Sequence, residues 1–210
     1  MIVAIDGPAG AGKSTVARHL AERLGFRYLD TGAMYRALTW LALERGVSLE
    51  DGVALGKLAE EHPVELAESG EVSIAGNDVT EDIRRAEIDR AVPVVARHKA
   101  VREVMRDRQR QLGQRGNAVI EGRDIGTVVA PTAEVKVYLI ADESVRAERR
   151  LQERPEIGAD ALATDLRLRD ESDAARTLPA DDAEVIDTSR LDVEDVVDRI
   201  ERRVRELVKA

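Results

Sequence analysis

The sequence predicts an α/β chain built as a P-loop doubly wound fold: a parallel sheet of about five strands, helices on both faces, a small β-containing insert and a short lid. Three observations lead there. Short apolar runs alternate with stretches of helical periodicity along the chain. The segment Gly7-Pro8-Ala9-Gly10-Ala11-Gly12-Lys13-Ser14 fits G-x-x-x-x-G-K-[ST] and stands between one such run and one such stretch. Of the 210 residues, 43% are apolar and only 2% aromatic, enough for one core filled by Ala, Val, Leu and Ile.

The elements follow in order. Ile2-Val3-Ala4-Ile5 reads as a buried strand. Val16, Leu20 and Leu24 then recur every four residues, the stripe of a helix. Phe26-Arg27-Tyr28-Leu29 is a second strand, followed by a helix from about Ala33 to Arg45. A long helix near Val95–Leu112 leads into the strand Ala118-Val119-Ile120-Glu121. Val135-Lys136-Val137-Tyr138-Leu139-Ile140 and Val185-Ile186-Asp187 complete the strands. The closing helix carries Val193, Val196, Val197, Ile200, Val204, Leu207 and Val208 on one face. Such alternation implies right-handed crossovers. Two segments interrupt it. Pro63–Ala67 and Glu71–Ile74 flank Ser69-Gly70 as a hairpin does, and Gly76-Asn77-Asp78 adds a turn, giving a β-insert at about 63–92. Arg146 to Gly158 is Arg-rich and ends in a Pro155/Gly158 break, so a mobile lid is expected at about 146–158. The chain reads as one domain, with residues 1–32 and 113–210 as its core and 33–112 carrying the insert.

Composition excludes several classes. A net charge of −9 argues against a dedicated nucleic-acid binder, which needs a broad basic face. No run of about 18 apolar residues is present to span a membrane. The N-terminus opens on a strand and a glycine loop, not on a cleavable signal, and cysteine is absent. A cytoplasmic monomer is expected.

The glycine loop carries the first chemistry. Glycines let residues 7–15, through Thr15, curl until backbone N–H groups and the positive end of the next helix cradle a polyphosphate. Lys13 would reach β- and γ-phosphates and the Ser14 hydroxyl would ligate Mg²⁺. Four fixed positions match by chance in roughly one chain in a hundred. Asn-Lys-x-Asp and D-x-x-G are both missing, which speaks against a GTPase. Leu29-Asp30-Thr31-Gly32-Ala33-Met34-Tyr35-Arg36 lies at the carboxyl end of the second strand, where open α/β sheets bind ligands. Thr31, Tyr35 and Arg36 can meet a phosphate monoester or a base edge, or simply cap a helix. Arg123 and Asp124 follow another strand and suit an anion and a base or sugar, or else pair locally. Arg169, Asp173 and Arg176 stand at i, i+4 and i+7, so one helical face presents all three, or else is a solvated face with i,i+4 salt bridges. Arg146, Arg149, Arg150 and Arg154 could stabilise charge in phosphoryl transfer, or pair with neighbouring glutamates.

Taken together, IDGPAGAGKST, LDTGAMYR, VIEGRDIGTVV and RDESDAAR resemble, in order and spacing, the bacterial cytidylate kinases, nucleoside monophosphate kinases acting on CMP and dCMP. The resemblance covers nearly the whole chain, and the β-insert within an acceptor-binding region at 33–112 is similar to that family too. It implies ATP and Mg²⁺ on residues 7–15, and Thr31, Tyr35 and Arg36 lining the acceptor pocket. It further implies Arg102 and Asp124 reading cytosine, Arg123 and Arg176 holding the acceptor phosphate, and Arg169 and Asp173 contacting the sugar. Lys13, Arg123, Arg149, Arg154 and Arg176 would carry catalysis. Pro93 stands where many members carry Ser, and the segment after Arg176 is shorter than usual. The chemistry agrees: a carboxylate accepts from cytosine N4, whereas uracil presents an acceptor there. The alternatives are a kinase for another small acceptor, such as UMP or shikimate, and a nucleotide-binding switch that is no kinase.

Overall fold

A computed structural model describes residues 1–67, 69–153, 158–174 and 177–209. In chain order the elements are β1 (Ile2–Asp6), α1 (Lys13–Leu24), β2 (Arg27–Asp30), α2 (Thr31–Glu44), α3 (Gly52–Glu61), β3 (Glu65–Leu66), β4 (Val72–Ile74), β5 (Asn77–Asp78), α4 (Ala86–Ala96), α5 (Lys99–Gly113), β6 (Ala118–Glu121), β7 (Val135–Ile140), α6 (Glu143–Glu153), α7 (Ala159–Asp173), β8 (Glu184–Asp187) and α8 (Val193–Lys209). Five strands form an all-parallel, doubly wound sheet in the order β2-β6-β1-β7-β8. The residues divide into two compact units, Met1–Tyr28 with Gly116–Ala210, and Leu29–Arg115.

In the first unit, β1 pairs in register with both neighbours: Ile5 stands beside Glu121 of β6 and Val137 of β7. Its strands are near-continuous apolar runs, as a parallel sheet covered by helices requires. Val16, Ala17, Leu20 and Ala21 of α1 share one core with Val196, Val197, Ile200 and Val204 of α8. Each fully buried Leu or Ile there contributes roughly 1.5–3 kcal/mol. Gly25, at φ 63°, ends α1 by returning its N–H to the last turn.

The second unit is mostly helical. Asp30 caps α2, its carboxylate accepting from the Ala33 N–H at 2.8 Å, so that helix starts at Thr31, earlier than its apolar stripe suggests. Asp51 caps α3 in the same way. That helix has no counterpart in the sequence reading. α3 lies close against α5: a Cβ on Gly56 would sit 2.9 Å from the Ala100 Cβ.

Two further expectations change. The long helix at Val95–Leu112 is two helices, α4 and α5, parted at Arg97-His98. His98 takes an extended conformation (ψ 125°) and its Nε2 donates to the Leu49 carbonyl at 2.8 Å. The insert is a three-stranded sheet, β3-β4-β5, because its second reversal falls at Ala75-Gly76, both with positive φ, one step before the expected turn. Its β-structure ends at Asp78, and Pro93 lies inside α4.

Candidate active site

The loop from Gly7 to Gly12 leaves β1 at the carboxyl edge of the sheet. Gly7, at φ 146°, has no room for a side chain: a Cβ there would lie 2.2 Å from the Leu139 carbonyl oxygen. Gly10 and Gly12 take φ 77° and 88°. Side chains engage four successive carbonyls. Lys13 Nζ donates to Pro8 O at 2.7 Å. Arg146 Nη1 donates to Ala9 O at 3.1 Å, and Arg149 Nη1 to Gly10 O at 3.4 Å. Thr188 Oγ1 lies 3.1 Å from Ala11 O. Peptides are trans among the described residues, so each N–H of the loop points opposite to the preceding carbonyl. The amides of Gly10 and Gly12 therefore face away from Arg146 and Thr188, toward the concave side as an anion nest requires, while the Ala11 N–H donates to Pro8 O at 3.5 Å.

Lys13 opens α1 and is buried. Burial first, and then the nearby Arg123 charge, lower its ammonium to about 7. Ser14 and Thr15 are exposed beside it. Ser14 Oγ donates to Glu121 Oε2 at 2.9 Å, and Tyr28 OH donates to the other Glu121 oxygen. Arg18 stands over the Tyr28 ring, 5.5 Å from its centre. Glu121 is buried at the end of β6. It lay inside the motif VIEGRDIGTVV, but only the pairing of β6 with β1 reveals its contact with Ser14.

The loop after Glu121 carries Arg123 and Asp124. Asp6, buried at the end of β1, accepts from the Ile125 and Gly126 amides at 2.8 and 2.7 Å and so fixes the wide helical turn Ile125–Val129. Burial raises the Asp6 carboxyl above the usual carboxylate range, opposed by those two amides. Arg123 Nε donates to Asp173 Oδ2 at 3.1 Å, joining two predicted residues. Asp124 is half-buried at the head of the turn, its carbonyl accepting from the Val128 amide at 2.8 Å. α7, Ala159–Asp173, carries Arg169 and Asp173. Arg154 and Arg176 lie outside the described residues, as does the Arg169 side chain. Arg146 and Arg149, expected on a lid, belong to α6, and Arg150 pairs with Glu153 at 2.7 Å.

In the second unit, Thr31 is buried and Tyr35 half-buried on α2. Arg36 donates to Asp30 Oδ2 at 2.8 Å, so one carboxylate both caps the helix and holds the guanidinium. Arg102 is half-buried on α5. Sequence reasoning missed Asp6, Glu121, Asp170 and Thr188. The first three sat in the quoted motifs, and Thr188 carried no sequence signal.

A metal can be tested against the donors present. Among the described residues no group of three or more His, Cys, Asp or Glu is arranged to hold an ion. Mg²⁺ does not need one, because it keeps waters and phosphate oxygens as ligands. The oxygen pair Ser14 Oγ and Glu121 Oε2 fits that habit.

Comparison with known proteins places this geometry. The family model described as cytidylate kinase matches residues 3–206. A cytidylate kinase of Shouchella clausii is 48% identical, covering 97% of this chain and 96% of that protein. One from Bacillus licheniformis is 46% identical, over 95% and 94%. The solved shikimate kinase of Bacteroides thetaiotaomicron shares the fold with a TM-score of 0.51 at 18% identity, covering 100% of this chain and 99% of that one.

Proposed function

The chain belongs to the cytidylate kinase family, and from that premise we infer that it transfers the γ-phosphate of ATP to CMP or dCMP, giving ADP and CDP or dCDP. The observation that carries the reading from the geometry is the Arg123-Asp124 pair, one strand away from the phosphate loop and anchored by Asp6. A loop that binds triphosphate is thus flanked by a cation suited to a second phosphate and a carboxylate suited to a base amine.

ATP binds residues 7–15. Gly7 through Gly12 shape the nest, Lys13 leaves Pro8 O for the β- and γ-phosphates, and Ser14 with Glu121 would hold Mg²⁺, whose charge neutralises the phosphates. Thr31, Tyr35, Arg36 and Arg102 receive CMP from the second unit. Asp124 accepts from the cytosine N4 amine, Arg123 and Arg176 hold the acceptor phosphate, and Arg169 and Asp173 meet the sugar. An oxygen of the CMP phosphate attacks the γ-phosphorus in line, and the bond to the ADP oxygen breaks. The nucleophile is already anionic, so no general base is required. Catalysis is positioning and charge neutralisation by Lys13, Arg123, Arg154 and Arg176. Arg149, expected among them, has its guanidinium on Gly10 O and Thr188 instead. The lid expected at about 146–158 would keep water out, although Arg146 and Arg149 at its start are held on the phosphate loop. The protein is read as a cytoplasmic monomer.

A coupled assay of ADP formation, with ATP–Mg²⁺ and each acceptor in turn, tests this. CMP and dCMP should give the highest kcat/KM among CMP, dCMP, UMP, AMP, GMP and shikimate. A faster reaction with any of the other four would overturn the assignment.

A further inference from the structure

The outer side of the phosphate loop is held by residues that the phosphoryl-transfer chemistry does not call on. Thr188, the residue after β8, is 3% exposed and sits at the centre of them. Its backbone N–H donates to Ile140 O at 2.8 Å. Its hydroxyl oxygen lies 3.1 Å from both Ile140 O and Ala11 O but has one proton to give. Ile140 O already has the amide, so the hydroxyl proton serves Ala11 O. The hydroxyl lone pair accepts from Arg149 Nη1 at 3.0 Å, and Thr188 O accepts from Arg149 Nη2 at 2.7 Å. That fork grip fixes the plane of the guanidinium, which then reaches Gly10 O. Arg146 repeats the arrangement one residue earlier: its Nη2 is held by Asp170 Oδ2 at 2.7 Å while Nη1 reaches Ala9 O. α6 presses close there, for a Cβ on Gly10 would stand 3.0 Å from the Arg146 Cβ.

We propose that Thr188 is a positioning residue of the ATP site. Through its own hydroxyl it turns the Ala11 carbonyl outward and so aims the Gly12 amide at the triphosphate, and through Arg149 it holds the Gly10 carbonyl beside it. Arg149, on this account, works on the loop and does not touch the transferred phosphoryl group. The proposal rests on the reading that residues 7–15 bind ATP, and it is independent of which acceptor is phosphorylated.

Thr188→Val keeps the shape and removes both the donor and the acceptor, and Thr188→Ser keeps both. The test titrates the full chain with the non-hydrolysable analogue AMP-PNP plus Mg²⁺, titrates it separately with CMP, and measures steady-state KM and kcat. Thr188→Val should weaken AMP-PNP about tenfold or more, the usual effect of one lost buried hydrogen bond and a loosened partner. It should leave CMP affinity within about twofold, and Thr188→Ser should restore AMP-PNP binding. Unchanged AMP-PNP affinity in Thr188→Val overturns the proposal. So does an equal loss toward CMP, which marks a general loss of structure. Should Thr188→Val fail to fold, Arg149→Lys decides. Weaker AMP-PNP binding with CMP affinity kept supports positioning. A fall in kcat with AMP-PNP affinity intact puts Arg149 on the reacting phosphoryl and overturns it. If the wild type binds AMP-PNP but phosphorylates a different acceptor, the function assigned above fails while this inference stands.

Discussion

At the scale of single residues, Lys13 carries the most unusual environment in the chain. A buried ammonium brought to about 7, against 10.5 in the unfolded chain, means that between those values the unfolded state binds the extra proton. Stability therefore rises with pH across that window. Below about pH 7 the cost of burying the charge is present in full. Lys13→Met removes the cost: the variant should be more stable than the wild type at pH 7, by up to a few kcal/mol, with the gap closing toward pH 10. Chemical denaturation at pH 7 and pH 9.5 checks this, and a gap that widens with pH would contradict it. Phosphates beside Lys13 restore the ammonium, so ATP binding at pH 8 should take up a proton. Calorimetry in buffers of different ionisation enthalpy should show the uptake in the wild type and lose it in Lys13→Met. The same variant should lose kcat by about a hundredfold or more, because the charge it meets grows in the transition state. Asp124→Asn tests base reading. An amide donates as well as accepts, so preference for CMP over UMP in kcat/KM should fall by about 1–3 kcal/mol; an unchanged ratio would remove Asp124 from that role.

At the scale of elements, close approaches set what is tolerated. Gly56→Ala should destabilise by about 1–3 kcal/mol through overpacking of α3 on α5, and Ala100→Gly in the same chain should recover part of the loss, read by urea unfolding of both variants. Trp40, on α2 four residues after Arg36, should change its fluorescence saturably as CMP is added. Arg36→Ala should weaken that titration strongly, because the arginine is already held toward its task by Asp30. These elements also show what sequence carries. β1, β6 and β7 were legible because strands buried on both faces are near-continuous apolar runs, with glycine bounding β1 and β6. The phosphate loop was legible because its glycines and lysine answer one fixed geometry. The break at Arg97-His98 was not, since a two-residue interruption leaves the apolar stripe nearly in phase and depends on His98 reaching Leu49, 49 positions away. Thr188 was not either: its partners Ala11 and Ile140 are brought to it only by the β1-β7-β8 order.

At the scale of the molecule, the first unit holds the phosphate loop with Glu121, Arg123 and Asp124, and the second holds Thr31, Tyr35, Arg36 and Arg102. Thr31 was read with the core at 1–32 but falls in the second unit, and which carbonyl or carboxylate each arginine meets needed the tertiary contacts. The central claim is that phosphate leaves ATP for CMP and not for water. Phosphorus NMR of the protein with ATP, Mg²⁺ and CMP reads this directly. The account predicts that the γ-phosphate signal of ATP declines as the β-phosphate signal of CDP rises in equal measure, with no inorganic phosphate accumulating. Inorganic phosphate appearing at the same rate with or without CMP, and no CDP, would contradict it and leave a slow ATP-hydrolysing switch in its place.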